Sequence, residues 1–419
     1  LFHRNANKGR ASSVIPLKDL IPIVSAEQIL SEEKRSFLLE QIRTSCALEP
    51  MRFDNLCLSL ARNLANHYQL LPETTHSYYA QSGGLINHAL NRTEVALELF
   101  KQFLIVEKEL SEEQKLWQYA LLSAGLLQGI GKLYIDLTVN LFDSKGHPLK
   151  QWNPLLENLQ TGNHYSYVFE KEENKAFRSR LNIILATNLM PASGFAWIAS
   201  NKAVLEIWLA LLNEDFYSAG TLGIILINAN AIAIRRYFHT LKQSSKTRLS
   251  RYGQAGTFIG RVPKSVLTAE QKMGIDFLEW LYKALEKGDL IINKFPFLKV
   301  IPGGLLMSVE IFKIYNSKAW EAAQNAFLSL GLHKQHNKNL QVQRGLVLDL
   351  AIALPKTVQV ANLKTGEVLR MSSTELINQA QHGTNNQAPS LHHLNSAGQW
   401  QLVTTFLDNS LSPQVSPNV

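Results

Sequence analysis

The segment from Leu85 to Val106 restricts the fold more than any other stretch. Placed on a helix at ~100° per residue, Ile86, Leu90, Leu97, Phe100 and Leu104 form one apolar stripe, and His88, Val95, Leu99 and Val106 form a second, roughly opposite. A helix apolar on both sides must be covered on both sides, which requires the interior of a bundle. His88 is then partly buried, and by itself reads as a core histidine held by a hydrogen-bond partner. Neighbouring segments supply the other helices. Ser25-Ala-Glu-Gln28 and Ser111-Glu-Glu-Gln114 have the form in which a hydroxyl and an amide satisfy the free backbone donors of a helix start, and each opens an apolar-periodic run. The first half therefore reads as helix after helix.

A chain of 419 residues with 46% hydrophobic content is long enough for two or three cores. Cys46 and Cys57, its only cysteines, supply neither a disulfide framework nor a thiolate metal site, and point to a reducing cytoplasm. The longest apolar run, Thr221 to Ile234, is interrupted by Asn228 and Asn230 and is shorter than the ~20 residues a spanning helix needs. No membrane span is expected. The chain starts at Leu1 with neither Met nor a signal-like segment, which suggests a piece excised from a longer protein.

The net charge of +8 is concentrated. Between Arg235 and Lys272 lie Arg235, Arg236, Lys242, Lys246, Arg248, Arg251, Arg261, Lys264 and Lys272 against a single acid, Glu270. This excess equals that of the whole chain, and such clustering is the usual footprint of phosphate contact, although a lysine-rich linker is also simply soluble. Residues 242–267, rich in Ser, Gly and basic side chains with little periodicity, read as a linker between a helical domain (1–241) and a second domain (268–377). Thr268-Ala-Glu-Gln271 caps the first helix of that domain, with Phe277, Leu278, Leu281 and Leu285 on one face and Gly288 at its end. "DLIINK" and "LKVIPGGLLMSVEIF" then read as strands, followed by a helix from Lys318 to about Leu332 and strands in "LVLDLAIAL" and "TVQVANLKTGEVLRM". This order suggests a small α+β unit of winged-helix type. Residues 378–419, rich in Asn, Gln, His, Ser and Pro, read as mostly disordered, with a short element near Trp400 to Leu407.

Three stretches, "LLPETTHSYYAQSGGLINHAL", "LLSAGLLQGIGKLYID" and "WNP" at Trp152 to Pro154, occur in an order that resembles the TraI-type relaxases of the MOBH class, found on conjugative plasmids and integrative elements. Leu71, Pro72, Gly83, Gly84, Leu85, His88, Gly131, Lys132 and Asp136 match the family pattern. "FLEWLYKALEKGDLIINKFPFLKVIPGGLLMSVEIF", with Trp280 and Asn293, is similar to the family's C-terminal domain, its strand ending at Phe312. The resemblance implies a mainly α fold, an HD-like helical bundle followed by the smaller α+β winged-helix-like domain, and a role in DNA processing.

The departures from that pattern bear on chemistry. The HD superfamily holds its metal with adjacent His and Asp in A-x-L-x-H-D-I-G-K, and here Gln128 and Gly129 stand in that place. The family's histidine-rich turn is Ser77-Tyr78-Tyr79, and its late aspartate is Asn230. Of the implied ligands only His88 remains, and a lone imidazole beside neutral amides cannot offset the charge of a divalent ion. The site formed by His88, Gln128, Gly129, Lys132, Asp136 and Asn230 is thus expected to be vestigial, with no metal and no cofactor. The leading expectation is a relaxase-like protein that binds DNA, in a salt-sensitive way, or other conjugation-machinery proteins, without cutting. An active nicking enzyme, metal-dependent or using Tyr78 or Tyr79, and a non-catalytic protein scaffold are the alternatives. A phenol with pKa near 10 needs a base or metal to attack. His392-His393 has no ligand partner near it in sequence. Gly83-Gly84 lacks the Lys-Ser/Thr of a phosphate loop, so neither a nucleotide site nor a helicase motor is expected.

Overall fold

The computed structural model describes residues 14–102, 104, 109–170, 174–249, 269–294, 296–301, 304–334, 345–348, 354–363, 365–373, 375–377, 392–394 and 400–402. Both capping boxes form. The Ser25 hydroxyl accepts from Gln28 N at the start of α1 (Ala26–Leu30), and Ser111 and Gln114 reciprocate in the same way ahead of α6 (Glu112–Leu127). Between them run α2 (Glu33–Ser45), α3 (Pro50–Phe53), a π-turn over Asp54–Leu58 leading into α4 (Ser59–Tyr68), and α5 (Gly84–Lys101). A single turn, α7 (Lys132–Ile135), follows α6, and α8 (Lys175–Leu189), α9 (Ala192–Ala199), α10 (Lys202–Leu212) and α11 (Gly220–Leu249) complete the helices of the first half.

As its two stripes require, α5 is covered on both apolar sides, although it ends at Lys101, so Leu104 follows the helix, and Val106 lies outside the described residues. It packs against α2, α6 and α11, and Ile86, Leu90, Val95, Leu97 and Phe100 are buried in one continuous core with side chains of α1, α4, α6 and α10. At ~25 cal/mol per Å² of apolar area, this shared burial, rather than helix propensity, holds the bundle together.

The first half is not helices alone. The strands β1 (Ile21–Pro22), β2 (Leu137–Phe142), β3 (Pro148–Gln151) and β4 (His164–Phe169) form an antiparallel sheet in the order β1-β4-β2-β3. The period-2 alternation of Leu137, Val139 and Leu141, all buried on the core side, is its sequence signature. Asp143 accepts from Lys145 N and His147 N to close the β2–β3 turn.

In the second half, α12 (Ala269–Lys287) precedes β5 (Leu298–Ile301) and β6 (Gly304–Ser308), which pair antiparallel as the Pro-Gly-Gly turn predicts. Next come α13 (Glu310–Tyr315), α14 (Trp320–Leu328), β7 (His333–Lys334) and β8 (Gly345–Leu348), the four strands lying in the order β5-β6-β8-β7. Two hairpins follow, β9 (Thr357–Ala361) with β10 (Val368–Ser372) and β11 (His392–Leu394) with β12 (Trp400–Leu402). The strand expected to run to Phe312 stops at Ser308. Ile311 and Phe312 are adjacent and both fully buried, an arrangement a strand would split between opposite faces and a helix accommodates. "DLIINK" is not a strand either: Ile292 makes one isolated parallel bridge to Val360. The helix expected from Lys318 to Leu332 is shorter, and Gly331, at φ +64°, ends its last turn.

A second core gathers around Phe277, whose ring stacks on Phe312 at 4.4 Å and meets Phe327 edge-on at 5.4 Å. This core also takes Tyr79 and, from α11, Ala231, Ile234, Tyr237 and Phe238, so one long helix serves both cores. The backbone of α11 is helical through Leu249, covering 242–249 of the stretch read as linker; residues 250–267 lie outside the described residues, as does the Thr268 cap. Among the described residues no single helix is long and apolar enough to cross a membrane, and the one adjoining pair whose combined length and composition suffice, within α8 and α9, is bent by 119°. The pair contributes Leu185, Leu189 and Ile198 to the first core.

Candidate functional site: a buried Glu73, Lys132 and His88 cluster

Three local structures bring the cluster together. Helix α4 ends where Gln69 turns to φ 44°, its side chain clamping the backbone N and O of Val24 at 3.0 and 2.9 Å. The chain then folds back on itself. Glu73 N donates to Tyr79 O at 2.9 Å and Gly83 N to Leu70 O at 2.8 Å. A Cβ on Gly84 would collide with the Tyr79 carbonyl, so only glycine allows the loop to close against the first turn of α5. This places Glu73 beside His88, one turn into that helix. On the other side α6 stops at Leu127, Gln128 takes an extended conformation, and Gly129 turns at φ +77°. Gly131 N donates to Asn182 Oδ1 at 2.6 Å, and α7 begins with Lys132 aimed at the loop.

Lys132 Nζ donates to Glu73 Oε1, forming an ion pair with both side chains largely buried. His88 Nδ1 lies 3.4 Å from the same oxygen, long for a hydrogen bond, and His88 Nε2 has no partner among the described residues. Burial pushes the Glu73 carboxyl up, but the Lys132 ammonium and the His88 imidazole outweigh it and hold the group far below the usual carboxylate range. Desolvation lowers the His88 pKa despite the facing carboxylate, which keeps the ring neutral at pH 7. Arg92, four residues on along α5, donates Nε to Gly125 O at 2.8 Å and Nη2 to Gln128 O at 3.0 Å. Its guanidinium thus caps the negative end of α6.

The tyrosines form the lid of the cluster. Tyr79, in a left-handed backbone conformation at φ 50°, stacks on His88 at 4.8 Å and on Tyr237 at 4.4 Å. Its hydroxyl donates to Ala233 O at 3.2 Å, and burial pushes its phenol well above 10. Tyr78 meets His88 edge-on at 5.5 Å. A buried phenol held in this way is a packing group and a poor nucleophile.

Of the residues singled out in sequence, His88, Lys132, Tyr78 and Tyr79 converge. Gln128 and Gly129 shape the turn behind them, and Gln128 Oε1 is buried with no partner among the described residues. Asp136 points elsewhere, paired with Arg178 at 3.0 Å. Asn230 is half-buried on α11, with no hydrogen bond to the cluster among the described residues. The donors do not fit a metal centre. The carboxylate oxygen facing His88 is held by an ammonium, and among the described residues no three His, Cys, Asp or Glu side chains converge. Sequence reasoning missed Glu73 and Arg92. Arg92 was within reach, since a charge at i+4 from His88 on a helix buried on both sides must face inward too. Glu73 carried no periodic signal, because only the loop closure brings it to α5.

The first two basic residues of the charged span are engaged within the protein. Arg235 donates to Leu354 O at 3.1 Å and lies 5.1 Å from the centre of the Tyr282 ring. Arg236 pairs with Glu94 at 2.6 Å and Glu98 at 3.1 Å. The side chains of Lys242, Lys246, Arg248, Arg251, Arg261 and Lys264 lie outside the described residues. No curated protein matches this chain. Residues 21–252, more than half of the chain and all of the Glu73, Lys132 and His88 cluster, match the model of the TraI_2 family, described as "Putative helicase", and the chain belongs to that family.

Proposed function

We infer that this chain is a relaxase-like DNA-processing protein of a conjugative plasmid or integrative element, acting in the bacterial cytoplasm by binding DNA rather than by cutting it. Family membership supports the setting, and the observation that carries DNA binding is the charge. Once Arg235 and Arg236 are set aside as internally paired, Lys242, Lys246, Arg248, Arg251, Arg261, Lys264 and Lys272 are still offset along the sequence by a single acid, Glu270. Such a span neutralises several phosphates and releases their counterions, so binding falls steeply with salt, at a log-log slope of roughly −0.9 per contact on duplex DNA. Phosphate contacts position without reading sequence. Orientation and specificity fall to the second-half unit, whose helices α12 to α14 beside the small β5-β6-β8-β7 sheet suit a winged-helix reading, as the first-half bundle suits an HD-like one. Cutting is disfavoured because the Glu73 carboxylate is occupied by Lys132 and the Tyr79 phenol is buried with a raised pKa. As to the helicase description, the one Gly-Lys pair in the chain, Gly131-Lys132, is followed by Leu133 and not by the Ser/Thr of a phosphate loop.

The test is a salt titration of duplex binding with the parent and the Lys246→Ala/Arg248→Ala/Arg251→Ala variant. The variant should bind every sequence more weakly, with a slope flatter by about one per lost contact. Equal binding at low and moderate salt would make the span a soluble linker and leave a protein-binding scaffold, docking other conjugation proteins, as the better reading. Nicking of supercoiled plasmid by the purified chain would restore an active relaxase.

A further inference from the structure

We propose that Lys132 is the resident cation of the helical unit: its ammonium supplies the counter-charge that a buried carboxylate requires, so this unit folds and holds His88 in place without a metal ion. The Glu73 side chain is 9% exposed, and an ionised carboxylate at that depth is strongly unfavourable unless an opposite charge lies against it. Among the described residues the groups facing it are Lys132 from α7, His88 and Arg92 from α5, Tyr68 from α4 and Tyr79 from its own loop. His88 is neutral, the tyrosines are neutral, and Arg92 is spent on the carbonyls of Gly125 and Gln128. Lys132 alone contacts the carboxylate as a full positive charge. The same ammonium lies 3.4 Å from the Glu73 carbonyl, so it ties both ends of the residue to α7.

Placement of Lys132 is built in. The turn at Gly129 and the Asn182 bond to Gly131 N direct the chain so that the first residue of α7 meets the loop. A Cβ on Gly131 would strike Arg178 O, which fixes how closely α7 approaches α8. Two glycines and one buried amide therefore deliver a charged side chain to a position where no cation from solvent is needed.

The experiment uses the full chain and thermal unfolding, and its outcome does not depend on DNA binding. Wild-type protein should contain no stoichiometric transition metal and should melt at the same temperature with EDTA, zinc or manganese. Lys132→Met should lower the midpoint by roughly 6–20 °C, the range for breaking a buried pair in a unit of this size. The deficit should shrink between pH 7 and pH 5, because an orphaned Glu73 takes up a proton that the paired one refuses. Glu73→Gln/Lys132→Met should recover a good part of the loss, and should fold even where the single variant does not. A chelator-sensitive midpoint or one bound metal per chain would overturn the proposal. So would a Lys132→Met deficit that is independent of pH and unchanged in the Glu73→Gln background, since that pattern belongs to lost packing alone.

Discussion

Asn182 is the side chain on which the cluster's geometry most depends without belonging to it. It is fully buried on α8, accepting from Gly131 N at 2.6 Å and donating to Leu212 O at 2.9 Å. One amide thus ties the α6–α7 turn to the end of α10. Asn182→Ala leaves a buried N–H and a buried C=O unpaired, at about 1–3 kcal/mol each. The predicted cost is therefore about 2–6 kcal/mol, or a midpoint lower by roughly 4–24 °C. Asn182→Asp is the sharper probe. It keeps the acceptor for Gly131 but sets an oxygen against the Leu212 carbonyl and buries a charge, so it should be at least as damaging at pH 7. Urea unfolding of the full chain measures both, and hydrogen exchange should show Gly131 N–H losing protection in each. A cost below about 1 kcal/mol for Asn182→Ala, or an Asn182→Asp protein as stable as the parent, would refute the bridging role.

Three further outcomes are expected. Tyr79→Phe removes only the bond to Ala233 O and should cost about 1 kcal/mol in urea unfolding, with DNA binding unchanged; loss of a strand-cleaving activity in that variant would instead make Tyr79 a nucleophile. Stability should fall in acid in two stages. His88 has a folded pKa below its unfolded value, so its contribution is lost as pH drops below ~6.5, and that of Glu73, also depressed, is lost below ~4.5; a flat profile from pH 7 to 4 would contradict the buried cluster. Arg236→Ala should destabilise by about 1 kcal/mol at pH 7, discounted for its exposure, because Glu94 is left without its partner. The same change should barely alter DNA affinity, and a large loss of binding would return Arg236 to the phosphate-contacting set.

Local pattern alone determined much of this protein. The two capping boxes, the doubly apolar α5 and the Pro-Gly-Gly hairpin are all written in spacings of three to eight residues, where backbone geometry and burial act directly. The segment ending in Val309-Glu310-Ile311-Phe312 was misread because a short apolar run suits a strand or a buried helix equally. The β1-β4-β2-β3 sheet was overlooked among strong helical signals, although Leu137, Val139 and Leu141 alternate as a half-buried strand should. The site was legible only in part: His88 declared itself by its place on a buried stripe, and the absence of paired metal ligands was visible in Gln128-Gly129. What replaces them was not. Glu73 and Lys132 are 59 positions apart, Arg235 meets Leu354 across 119, and no periodicity links such pairs. Whether a charged side chain is solvated, paired or spent on a helix end depends on which surfaces the loops and helix ends bring together. Only the tertiary structure decides that, because Coulomb energy and desolvation act through space and not along the chain.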